Sequence, residues 1–412
     1  MKSYDRIFHI TVILLSVLFL FVGSRIASGG TYTTTGTQGP EFTTGVVTQV
    51  VEIVEEVDTV FGFVNNYIIF NARLTGGERR GDIVTAIQHL HDFFLDSDRT
   101  VEAGDRVVLV FDSLNDNFFF ANFTRINYVA ILGAVFLALV VLFGRKKGLS
   151  AIIALGFTCL AVFLVFIPAI LSGRNIYIAT IIISCFSIVS TLLIVIGKNK
   201  KALSAMLGCF GGVLLAGALM LLMDAVTGLT GVVDHETRNL LFLPTETPVN
   251  LRAIIFAGVI IGAVGAIMDV AMSIASSLWE VREAGGVSDF KGIFKSGINI
   301  GKDILGTMLN TLILAYIGSS LSLILLLTIH TTSSLEFFSM EFIIVEFLRA
   351  LVGSFGMLLT IPLTAGICGW LYSRQTDAGE YDDDYFEQLQ QRKAQEREQR
   401  QKKKQGETAT PV

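Results

Sequence analysis

The chain has 412 residues, of which 52% are hydrophobic and 16% charged, against about 25% charged in an ordinary soluble domain. Its apolar residues are gathered into runs of the roughly 20 needed to cross about 30 Å of hydrocarbon, which excludes a purely water-soluble globular protein. The formal net charge of −5 says less than charge placement, because acidic and basic residues are segregated along the chain.

At the N-terminus, Lys2 and Arg6 precede an apolar stretch over 10–22. Residues 1–27 therefore read as a membrane anchor or a signal peptide, and no convincing cleavage site follows beyond the small residues of 24–27. Either way the next segment crosses the membrane. Residues 28–45 are rich in Ser, Thr and Gly and read as a flexible linker. The pattern then changes to period two over 46–125. Val107, Leu109 and Phe111 alternate with residues of the opposite face, and turns are signalled at Gly76-Gly77, Gly104-Asp105 and Asn115-Asp116. This spacing fits a small all-β domain, a barrel or sandwich of about five strands. It shows no aromatic or basic cluster that names a ligand, and Arg79-Arg80 reads as a solvated turn.

From Asn127 the pattern is helical and apolar, with spans expected at 127–144, 149–171, 176–197, 202–224, 252–279, 304–329 and 342–372. The region 126–374 is thus a seven-helix transmembrane domain, and the fold class is a membrane all-α bundle of about eight transmembrane helices with an extracytoplasmic β-domain after the first. Basic residues are retained on the cytoplasmic side. With the N-terminus inside, inner segments carry 20 Lys and Arg, whereas the short outer loops carry three, Arg174, Arg238 and Arg252. Both termini are then cytoplasmic. The tail, 375–412, runs from acidic (Asp382, Asp383, Asp384) to basic (Lys402, Lys403, Lys404) and reads as disordered.

Cys159, Cys185, Cys209 and Cys368 all fall in apolar spans, so neither a disulfide framework nor a Cys/His metal site is expected. No nucleotide-binding loop or Ser/His/Asp set appears, and no cofactor, metal or nucleic-acid partner is expected. The expected surroundings are the lipid bilayer.

Ionisable residues inside spans are costly and mark sites by default. Asp269 sits mid-span on one helical face with Gly262, Gly265 and Ala266 before it and Ser273 and Ser276 after it. That face is either a cation or proton site or a carboxylate buried against helix–helix hydrogen bonds. A second stripe, Asp303, Thr307, Asn310 and Thr311, begins span seven. There Asp303 reads as a helix cap, and the deeper Asn310 amide as the partner of Asp269. In span eight Glu346 and Arg349 lie three apart and pair, followed by Gly353, Gly356 and a kink at Pro362. Pro168 is expected to kink span three. Residues 288–298 form a short amphipathic helix expected to lie on the cytoplasmic membrane surface.

The second half of the chain resembles the YibE/F family of bacterial membrane proteins. The resemblance rests on 144–149 (GRKKGL), 261–277 (IGAVGAIMDVAMSIASS) and 297–316 (GINIGKDILGTMLNTLILAY), and extends over about 80–316. The extended N-terminal domain is like that of the longer, YibE-like member. The resemblance implies a multispanning bacterial membrane protein, one of what looks like a two-protein pair, with no defined activity; the expected partner is a second YibE/F-like chain or a homo-oligomer, and the expected location the bacterial cytoplasmic membrane. Three functions fit the residues: a transporter or permease-like subunit with its polar site in spans six to eight; a non-catalytic scaffold or envelope assembly factor; and, last, an intramembrane aspartyl protease using Asp269 and Asp303. An enzyme is not the expected reading.

Overall fold

The computed structural model describes residues 2–27, 41–57, 64–90, 99–112, 117–233, 235–242, 248–284, 289–330 and 333–373. The expected tail and most of the expected linker lie outside these residues. The chain divides into two compact units, residues 31–153 and residues 1–30 with 154–412.

In the first unit, β1 (Glu41–Val57), β2 (Val64–Leu74), β3 (Ile83–Leu90), β4 (Arg106–Asp112) and β5 (Asn117–Phe123) close into a barrel in the order β1-β2-β3-β5-β4. All pairings are antiparallel except β3 with β5, where Ala86 and Ile87 align with Phe118 and Phe119. That is the strand arrangement of OB-fold barrels. The expected linker is corrected at its end: residues 41–45 are strand, with Glu41 opposite Phe111 and Gly45 opposite Val107. The strand β1 serves both edges of the barrel. Register shifts at Val47/Gln49 and Val50/Glu52 bend it from β4 onto β2. Val47, Ile68, Phe70, Ala72, Leu74, Val107 and Leu109 fill the interior, so the period-two alternation holds. Outside, Tyr67, His89 and Phe119 form a row across three neighbouring strands, with ring centroids 6.2 and 5.9 Å apart. The sequence hid this cluster because its members are far apart along the chain.

Among the described residues seven helices are long and apolar enough to cross a membrane. The first is α1 (Lys2–Ala27). The second apolar stretch, Ile126–Leu171, has 46 residues and comprises α2 (Ile126–Ala161), a π-helical turn (Val162–Phe166) and α3 (Ile167–Leu171). The chain reverses inside α2. Arg145 has φ 47°, a left-handed value that non-glycine residues rarely adopt. A Cβ on Gly148 would collide with the Val140 carbonyl, whereas in a straight helix these residues would stand about 12 Å apart.

In the other unit α4 (Ile176–Val195), α5 (Lys200–Thr227), α6 (His235–Asn239) and α7 (Leu251–Glu283) follow. They are succeeded by α8 (Phe290–Ser319), α9 (Leu321–His330), α10 (Ser334–Ser339) and α11 (Glu341–Ser373). Polar caps set the starts of four helices: Asn175, Asn199, Asn250 and Asp289 accept hydrogen bonds from Ile178, Ala202, Ala253 and Gly292. Two expectations are corrected here. The segment 288–298 is no separate surface helix: from Phe290 it is the first third of α8, and its glycine face packs on protein, with Gly297 against Ala365. Because α8 begins at Phe290, its cap is Asp289, and Asp303 lies mid-helix.

Small residues let α5, α7, α8 and α11 approach closely. Gly208 and Gly212 of α5 meet Thr364 and Thr360 of α11, while Gly301 of α8 meets Ile361. Gly356 of α11 lies over Ile267 of α7, 2.9 Å from where its Cβ would stand. These contacts also give direction. The neighbours of Gly297 and Gly262 on the facing helices are Leu278 and Tyr316, so α8 runs antiparallel to α7. Gly353 lies by Ala263 and the Tyr372 hydroxyl donates to the Ala275 carbonyl at 3.2 Å, so α11 runs parallel to α7. Gly217 by Phe256 and Gly212 by Ile267 make α5 antiparallel. The helix α11 continues through Pro362, whereas the residue expected to kink span three, Pro168, directly follows the π turn, whose end is marked by the Ile167 N–H donating to the Val162 carbonyl.

Candidate functional site

One region of the bundle gathers polar groups that its own side chains leave partly unpaired. On α11, three-residue spacing puts Glu346 and Arg349 on one face, and the Arg349 guanidinium donates to Glu346 Oε1 at 2.6 Å. The side chains are 10% and 33% exposed respectively, so the expected pair forms and is largely shielded. Tyr316 of α8 lies within electrostatic range of both. It passes over Gly262 of α7, where a Cβ would stand 2.6 Å from the phenol oxygen. Glycine at 262 is what admits the ring.

Three atoms at this junction, Tyr316 Oη, Glu346 Oε2 and Arg349 Nε, are buried without a hydrogen-bond partner among the described residues. Each such group costs about 1–3 kcal/mol when left unmet. Together they supply a hydroxyl, an acceptor and a donor within electrostatic range of one another, a set able to bind a small polar solute or pass a proton. A cavity of about 780 Å³ lies at the same end of α11, lined by Arg238, Ser322, Leu326, Met340, Glu341 and Phe342. Phe342 precedes Glu346 by one helical turn. The rim is fastened by Glu341, whose carboxylate accepts from the Thr230 N–H at 2.8 Å, the Thr230 hydroxyl at 2.7 Å and the Gly231 N–H at 2.6 Å.

The other expected site residues stand elsewhere. Asp269 is exposed on the surface of the single chain, on a stripe of α7 with Gly258, Gly262 and Gly265, and Ser273 and Ser276 are half-buried beside it. Asp303, Thr307, Asn310 and Thr311 are exposed on the outer face of α8. The Thr307 and Thr311 hydroxyls donate back to the Ile304 and Thr307 carbonyls. Among the described residues no hydrogen bond joins Asp269 to Asn310, which corrects the expected pairing. The reason is rotational: α8 turns Leu305, Met308, Leu309 and Leu312 toward the core, which carries Asn310 outward. The two polar stripes nonetheless sit at the same depth, because the Gly262–Tyr316 and Leu278–Gly297 contacts bracket both.

Tyr316 is the residue sequence reasoning missed. A lone tyrosine ending an apolar run carries no signal by itself, and its partner is thirty residues away. A second polar cluster lies at the far ends of α7 and α11, where buried Tyr372 stacks edge-on to half-buried Trp279 at 5.2 Å and Trp279 Nε1 donates to the exposed Glu283 at 2.5 Å. The Tyr372 hydroxyl is taken up by the Ala275 carbonyl, as in a packing device.

The profile of YibE/F-like proteins matches residues 132–374. The match begins after the barrel, later than the expected resemblance from about residue 80, and extends past Tyr316 through the whole of α11. No curated protein and no solved structure matches the chain.

Proposed function

Because the chain belongs to the YibE/F-like protein family by a match over more than half its length, we propose that it is an eight-span protein of the bacterial cytoplasmic membrane, acting as a transporter- or permease-like subunit. The reversal at Arg145 supports reading Ile126–Leu171 as two spans. Antiparallel α5 and α8 against parallel α7 and α11 are what alternate crossings require. In this reading the barrel is extracytoplasmic, both termini are cytoplasmic, and Glu341 marks the outer end of α11.

The observation that carries the transport reading is the unpaired triad of Tyr316 Oη, Glu346 Oε2 and Arg349 Nε, buried among apolar helices one turn of α11 beyond a cavity lined by Glu341 and Phe342. Tyr372 and Trp279 find partners in the Ala275 carbonyl and Glu283, whereas the ion pair and its neighbouring phenol keep hydrogen-bonding positions that a solute can take. Purified protein in liposomes, screened with ions and small polar solutes, is expected to pass one class of them, and Glu346→Gln to abolish that flux at unchanged insertion. A flux left intact by Glu346→Gln removes this site from the pathway.

A scaffold acting with a second YibE/F-like chain or a second copy is favoured by a different observation. Gly258, Gly262, Gly265 and Asp269 on α7, with Asp303, Thr307 and Asn310 on α8, make outer faces ill suited to lipid tails. A covering protein helix satisfies them, and the two readings are compatible: a transport subunit within an assembly.

A further inference from the structure

On the side of the bundle away from α8, α1 and α4 diverge around the π turn. A cavity of about 550 Å³ opens there, walled by Phe19 and Gly23 of α1, Val165 and Ala169 of the π turn and α3, and Ile178 and Ile182 of α4. That volume lies within the ordinary range of small-ligand sites. Its walls are almost wholly apolar, and its floor is fixed by Phe19 stacked on Phe186 with centroids 4.2 Å apart. The π turn shapes the groove. The extra residue per turn shifts Val165 against α1, where Gly23 lets it approach to 3.1 Å of a would-be Cβ. Such turns are frequent at functional sites.

Polarity appears only at the mouth. Arg174 lines it and donates one hydrogen bond, to the Ile26 carbonyl at 3.2 Å, and the start of α4, capped by Asn175, faces the same opening. Arg25 ends α1 nearby with its guanidinium 5.5 Å from the Phe21 ring. Among the described residues no Asp or Glu lines the groove. From Phe19 to Ala27 the wall is about 12 Å long at 1.5 Å per residue, close to the half-thickness of about 15 Å of a bilayer's hydrocarbon.

We propose that this groove holds one anionic phospholipid of the membrane, with an acyl chain along Phe19, Val165 and Ile182 and its phosphate on Arg174. The depth matches one leaflet, the walls match a hydrocarbon chain, and the cationic mouth matches an anionic headgroup. The inference rests on the membrane reading but not on the transport site, from which the groove is separate. Its test therefore reads lipid retention rather than flux.

Native mass spectrometry of the full-length detergent-purified protein, titrated with phosphatidylglycerol or phosphatidylcholine of equal chain length, is expected to give one retained phosphatidylglycerol at several-fold preference. Arg174→Gln should remove the preference and leave weak, equal retention of both lipids. Ala179→Phe, which fills the groove, should abolish retention of either. Melting temperatures measured in the same detergent identify a variant that has lost its fold, in which case Ala179→Leu and Arg174→Lys, expected to give partial effects, replace it. Equal retention of the two lipids by the unaltered protein, or a preference that survives Arg174→Gln, overturns the proposal.

Discussion

Arg349 can be removed in two ways that give opposite results. Arg349→Met leaves the Glu346 carboxylate, 10% exposed, without its cation, and breaking one half of a shielded pair costs about 3–5 kcal/mol. Removing both partners with apolar side chains of similar size is close to neutral on the same grounds. The expected outcome is a clear drop in melting temperature for Arg349→Met, recovery in the Glu346→Leu/Arg349→Met double variant, and no flux from either. A double variant that still transports assigns the pair to packing. Glu341 obeys a different balance, since its three contacts hold a loop by charge-assisted bonds at 2.6–2.8 Å. Glu341→Gln should cost about 1.5–3 kcal/mol, seen as a lowered melting temperature with the bundle's helical content intact.

At the scale of the helices, glycines sort into two kinds. A side chain at Gly212 or Gly301 runs into Thr360 or Ile361 of α11, whereas one at Gly265 or Gly306 meets nothing within 4 Å. Gly301→Leu is therefore expected to prevent folding. Gly265→Leu should leave the single chain intact and even favour its helix by about 1 kcal/mol. If α7 and α8 meet a partner through their polar stripes, Gly265→Leu shifts the particle mass in mild detergent to that of one chain while the melting profile of the chain is kept. Unchanged mass counts against an interface there. The same elements mark how far the sequence could be read. Most helix positions and the strand alternation were legible because they follow local periodicity, and the Glu346–Arg349 pair because both residues ride one helix; the expected span 304–329 was not, since α8 runs from Phe290 to Ser319 and α9 begins separately at Leu321. The rotation of α8 was not. Nothing local states that Met308 and Leu312 take the inside and Asn310 the outside, and the Tyr316–Gly262 contact depends on that rotation.

For the whole molecule the decisive quantity is which side each connection faces, because the orientation of the Glu346 site, the leaflet of the lipid groove and the surroundings of the barrel all follow from it. Twenty basic residues against three in the short outer loops set the expected sense, whereas the alternate helix directions in the bundle fit alternate crossings in either sense. The native cysteines allow a direct check, since Cys209 and Cys368 are buried and all four lie within helices. With these replaced by alanine or serine, single cysteines at Thr48, Arg238, Lys147 and Lys198 sample the barrel and three connections. A membrane-impermeant maleimide applied to intact cells should label Thr48→Cys and Arg238→Cys, and should label Lys147→Cys and Lys198→Cys only after lysis. The reverse pattern inverts the protein and moves the cavity lined by Glu341 and Phe342 to the cytoplasmic side. Labelling of Thr48→Cys and Lys147→Cys from the same side leaves an even number of crossings between them, so that the reversal at Arg145 is not a membrane-edge turn and the stretch Ile126–Leu171 does not supply two spans.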